Sequence, residues 1–156
     1  MDELRVPTVA LAAEVVCADG RRFYGRIFVP ATAATHAGPT RAEDWMNERP
    51  LFFPFLPEEG GPAVLLNKRE TLMLTVNAEA DAEDLPEAAE GPAHRIAVEA
   101  ENARLEGTIV LTMPEGHGRV LDYLNGPQRF FTLREGDRHH LIQKERITRV
   151  LEISEE

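Results

Sequence analysis

The chain has 156 residues, a formal net charge of −10 and a single cysteine, Cys17. That length holds one ordinary domain or two very small ones, and folding at this size buries roughly 70% of the unfolded surface. One cysteine excludes an internal disulfide framework and a multi-cysteine metal knuckle. The acidic balance argues against a general polyanion binder, because Lys and Arg contacts to phosphate dominate nucleic-acid affinity. No apolar run approaches the roughly 20 residues that cross a bilayer. The amino-terminal stretch MDELRVPTVALAAEVVC lacks a basic region and contains Glu14, unlike a signal peptide. The expectation is a cytoplasmic protein with no membrane or DNA partner.

The first patterned stretch is AEVVCADGRRFYGRIFVP, residues 13 to 30. Asp19-Gly20 reads as a hairpin turn, since Gly accepts positive φ without steric cost. After it, Phe23, Gly25, Ile27 and Val29 alternate along one face, and period two means a strand. A Gly in mid-strand permits a sharp bend or a close backbone approach. The loop PATAATHAGPT follows, and then RAEDWMNERPLFFPF, in which charge gives way to aromatics. Asp44 and Asn47 suit a tight turn whose backbone N–H groups they cap, and Arg41 lies three residues from Asp44, within reach of an ion pair. Trp45 then covers the turn, and Met46 enters the core beside Phe52 and Phe53. AVLLNKRETLMLTV, residues 63 to 76, reads as strand, polar turn and strand. NAEADAEDLPEAAEGPA, residues 77 to 93, carries six acids and no Lys or Arg, and reads as a linker.

The pattern then returns. Ala18/Ala100, Arg22/Arg104, Gly25/Gly107 and Ile27/Ile109 match at an offset of 82, with Gly20 aligned to Asn102. Arg41/Arg119, Asp44/Asp122, Asn47/Asn125, Phe52/Phe130 and Phe53/Phe131 match at 78, and Leu65/Leu141 and Lys68/Lys144 at 76. The drift places length changes in two loops, which absorb them without loss of strand register. Pro54 faces Thr132 in the alignment; proline cannot donate to a ladder, which suggests one outer face and one joining face. The reading is all-β: two tandem five-stranded small barrels, strongly bent antiparallel sheets packed as a pseudo-dimer, with repeats over 7–76 and 94–154 and the linker at 77–93.

These stretches resemble the Sm/LSm-like small β-barrel. The hairpin Asp-Gly with a following Gly on a bent strand looks like its opening strands. DWMN looks like the Asp…Met-Asn element of its first motif, and LLNKRETLMLTV like the strand pair of its second. The repeat is also similar to bacterial small-domain families of unknown function that share an Arg-x-x-Asp-x-Leu-Asn core. The Sm resemblance implies ligand-binding roles, in RNA recognition, for Asn47 with Lys68 and Asn125 with Lys144; Arg41 and Arg119 would join them on a gripping surface. Otherwise the motif is a structural joint, which is the reading preferred here because Asp and Asn are the usual turn formers.

No nucleophile elbow, phosphate-binding Gly loop or HExxH spacing occurs among these residues. His139 and His140 are adjacent, so a strand sends them to opposite faces, and neither metal nor other cofactor is expected. The expected function is a non-catalytic regulatory or scaffolding module. Its partner is a protein or a second copy, bound at a remaining strand edge or at the 30 to 40 loop; RNA or a nucleotide ligand is the alternative.

Overall fold

A computed structural model of the chain describes residues 7–31, 41–79, 93–101, 103–111 and 119–153. The two variable loops with His36 and His117, the turn residue Asn102 and most of the acidic linker lie outside the described residues. The first half comprises β1 (Thr8–Cys17), β2 (Arg22–Pro30), α1 (Ala42–Met46), β3 (Phe52–Pro57), β4 (Val64–Asn67), a 3-10 turn (Lys68–Glu70) and β5 (Thr71–Asn77). The second runs in the same order: β6 (Ala93–Ala100), β7 (Ala103–Val110), α2 (Val120–Leu124), β8 (Phe130–Glu135), β9 (Arg138–Gln143), a 3-10 turn (Lys144–Arg146) and β10 (Ile147–Glu152).

The all-β expectation holds, and the strands form one open antiparallel sheet in the order β10-β6-β7-β8-β9-β5-β1-β2-β3-β4. Two separate barrels would need each half to close on itself. Instead β5 of the first half pairs with β9 of the second, from Met73↔Ile142 to Asn77↔Arg138. The halves therefore meet as neighbouring strands of one ladder. Sheet order leaves β4 and β10 as the two ends.

Each half bends sharply at its glycine. β2 pairs with β1 over its whole length but with β3 only at Gly25↔Pro57 and Arg26↔Leu56. β7 meets β8 at the single pair Thr108↔Arg134. A Cβ on Gly25 would strike the carbonyl oxygen of Leu56 and lie 2.9 Å from the Phe55 ring; one on Gly107 would sit 2.6 Å from the Arg134 carbonyl oxygen. Only a residue without a side chain lets the strands cross so closely.

The hairpin turns correct the alignment. Gly25 pairs with Ala13 and Gly107 with Ile96, so β2/β7 match at 82 whereas β1/β6 match at 83. The second turn is one residue shorter, and Ala18/Ala100 sets a turn residue against the end of β6. The slip has physical weight because strand faces alternate. An offset of 82 would align buried Ala13 with exposed Arg95, while 83 aligns it with buried Ile96. Gly20 has φ of 91°, and in the second turn Glu101 takes the left-handed conformation at 52°.

Two main cores result. One gathers Leu11, Val15, Ile27, Val29, Met46, Phe53, Phe55 and Leu74; the other gathers Ile96, Val98, Ile109, Leu111, Tyr123, Phe131 and Leu133. Phe130 and Leu141 belong to the second half by sequence, yet both pack into the first half's core.

Candidate functional site

The repeated Arg-x-x-Asp motif forms a single helical turn in both halves. Arg41 and Arg119 occupy the position before the helix with extended backbone, and Asn47 and Asn125 the position after it. The arginines pair locally with the aspartates: Arg41 Nε lies 3.4 Å from Asp44 Oδ2 and Arg119 Nε 3.1 Å from Asp122 Oδ2. Trp45 meets Phe53 edge-on at 5.3 Å, and Tyr123 meets Phe131 at 6.4 Å. Met46 is buried as expected, but the Phe pairs differ. Phe130 and Phe131 are both fully enclosed, whereas Phe53 is buried and Phe52 is 53% exposed.

The lysines turn inward. Lys68 Nζ donates to the carbonyl oxygens of Trp45 and Glu48, both at 3.1 Å, and Lys144 Nζ donates to those of Leu124 at 3.0 Å and Gly126 at 2.9 Å. In each half the ammonium donates to two carbonyls at or just past the C-terminal end of the short helix, one of which, that of Trp45, also accepts the Glu48 N–H. Burial disfavours the charged form, and it lowers the pKa of both lysines below the ordinary value.

Asn47 does more than cap a turn. Its Nδ2 donates to the carbonyl oxygens of Glu43 at 3.0 Å and Phe130 at 2.9 Å, and its Oδ1 accepts the Phe130 N–H at 2.8 Å. One side-chain amide thus serves both backbone groups of Phe130, in the place a neighbouring strand would take. Beside it, the Thr132 hydroxyl donates to Glu43 Oε1. Gln143 Nε2 donates to the carbonyls of Lys68, Arg69 and Thr71 at 3.0, 3.0 and 2.7 Å, holding the end of β9 to the turn before β5. Asn125 stands where Asn47 does but is exposed, and its side chain finds no such partner within the described residues.

Each half therefore keeps its own set of the six predicted residues. The structure sets Arg41, Asn47 and Lys68 around α1 at the seam between the halves, and Arg119, Asn125 and Lys144 around α2 in the second half.

Sequence reading missed a cavity of about 230 Å³ along the seam, lined by Val16, Leu72, Val98, Leu105, Arg138 and His140 among others. His140 is buried, with Nδ1 2.7 Å from Thr75 Oγ1 and Nε2 2.8 Å from Glu135 Oε1. Both ring nitrogens are engaged, which satisfies a buried imidazole and fastens β5 to β9. The three residues come from three strands, β5, β8 and β9, and Thr75 meets the other two only through tertiary pairing, so no local spacing announces the set. Among the described residues no cluster of His, Cys, Asp and Glu could hold a metal ion, and no helix is long and apolar enough to cross a membrane.

The second feature missed is a set of exposed apolar side chains at the sheet's end. Leu51 and Val64 are each 37% exposed, Phe52 53% and Leu65 69%, all on or beside β3 and β4. β4 is terminal, so its outer backbone groups have no ladder neighbour. Pro54 lies in β3 beyond the two-residue overlap with β2, where a missing N–H costs no ladder bond. Comparison with protein-family models, curated proteins and solved structures gives no match for this chain.

Proposed function

We propose that the chain is a non-catalytic binding module, two Sm-like halves fused into one sheet, that takes up a protein strand at the β4 edge. The observation that carries this reading is the exposure of Leu65 and its neighbour Phe52 at a terminal strand. A strand with unpaired N–H and C=O groups is a template for another chain, and natural proteins ordinarily blunt such edges with charge. Here the edge is capped by Leu65 instead, the most exposed large apolar side chain among the described residues. Strand addition supplies main-chain hydrogen bonds, and flanking apolar side chains supply selectivity. Scaffolding by edge pairing needs no reacting group, in keeping with a buried His140 whose ring nitrogens are already engaged.

The RNA alternative needs cations that reach phosphate. Lys68 is 3% exposed and Lys144 donates into its own helix end, so the geometry favours a protein partner.

A pull-down with the full chain and with a Leu65→Lys variant, each with and without nuclease, tests this. Proteins retained by the wild type after nuclease and lost by the variant support the edge reading. Recovery of RNA that nuclease abolishes, with the variant unaffected, would overturn it.

A further inference from the structure

We infer that the chain joins copies of itself head to tail, β10 of one copy pairing with β4 of the next through a repetition of the β5–β9 seam. The inference rests on the protein-binding reading of the β4 edge and names its occupant.

Within one chain the seam has four parts: the β5–β9 ladder, the packing of Phe130 and Leu141 into the first half's core, the Asn47 clamp on Phe130, and the Glu43–Thr132 hydrogen bond. Every part has a counterpart standing open at one end of the molecule. β10 matches β5 and β4 matches β9, and they are the two terminal strands. Phe52 and Leu65 match Phe130 and Leu141; the second pair is fully buried in a core, and the first is 53% and 69% exposed. Asn125 matches Asn47 and is exposed beyond α2. A second copy would offer it the backbone of Phe52.

The fourth part is the most telling. Glu43 is matched by Leu121 and Thr132 by Pro54, so a polar pair at the seam becomes an apolar pair at the ends. Leu121 is 61% exposed, on α2 in the half that ends in β10, while Pro54 lies in β3 beside terminal β4. Change on one side alone would set a carboxylate against an apolar group, at a desolvation penalty. Change on both sides together preserves a compatible contact, as expected of surfaces that meet between molecules. A foreign strand at β4 would explain Phe52 and Leu65 but leave Leu121 and Asn125 without a role.

Because the two surfaces differ, the contact is heterologous, and it continues past two copies into a ring or an open filament. Surface cysteines identify the pairing. One preparation of the full chain carries Leu121→Cys and another Pro54→Cys, with buried Cys17 retained. A single chain with both Glu43→Cys and Thr132→Cys is the control for the internal seam. Under mild oxidation the control closes within the chain, and the mixed preparations yield disulfide-joined pairs several-fold above either preparation alone. Mixed pairs no more abundant than like–like pairs, or absent while the control closes, would overturn the inference. If in that case Leu65→Lys still abolishes protein capture, the edge reading stands and its occupant is a foreign strand; if capture is also unaffected, both fall.

Discussion

Asn47→Ala is the perturbation that most sharply separates a joint from a surface site. Removing the amide deletes three hydrogen bonds and leaves the N–H and C=O of Phe130, a residue with no solvent exposure, without those partners. An orphaned buried group costs about 1–3 kcal/mol, so the two together, partly relieved by local relaxation, come to about 3 kcal/mol. For a chain of this size that is a fall in Tm of roughly 6–12 °C. Asn125→Ala, by contrast, trims an exposed side chain, and at protein concentrations low enough to keep copies apart it should cost no more than about 0.5 kcal/mol. Urea unfolding followed by Trp45 fluorescence, with matched m-values, measures both. The motif alone predicts equal losses for Asn47 and Asn125; the seam predicts a large difference. Equal losses, or a larger one for Asn125, would refute the reasoning.

Gly25→Ala forces a methyl group onto the Leu56 carbonyl and should destabilise by about 3 kcal/mol, at the upper end of overpacking costs; calorimetry showing an unchanged Tm would contradict the close crossing of β2 and β3. Lys68→Met leaves the Glu48 carbonyl without its ammonium partner and the Trp45 carbonyl with only the Glu48 N–H, and should cost about 2 kcal/mol in urea unfolding, whereas a lysine directed at solvent would lose almost nothing. Burial, with the charge of Glu43 adding to it, raises the Tyr123 phenol above its ordinary pKa. A raised folded pKa means that this group's contribution is complete below the unfolded value near 10 and is lost as pH climbs above it. In a Tyr24→Phe variant, phenolate absorbance should therefore appear together with the loss of folded circular dichroism; ionisation well before unfolding would show that Tyr123 is open to water.

Much of the fold was legible because strands and turns leave local marks. Alternation around Gly25 and Gly107, the polar turns at Lys68 and Lys144 and the Arg–Asp spacing each report short-range physics, and the elements formed there. The turn of β6 into β7 was misjudged by one residue, since identical alanines gave a false register that only the pairing of Gly107 with Ile96 corrects. The single open sheet was not legible, because β5 and β9 find each other across more than sixty positions. For the same reason Phe52 and Phe130 looked equivalent in sequence, although one lies at an end and the other inside a seam. The asymmetry was hinted at only by Pro54 against Thr132.

The most direct test is sedimentation velocity on the full chain over a wide concentration range, beside the Leu65→Lys variant. Repetition of the seam predicts that the wild type sediments progressively faster with concentration while the variant stays a monomer. Superimposable profiles for the two proteins at every concentration would contradict it.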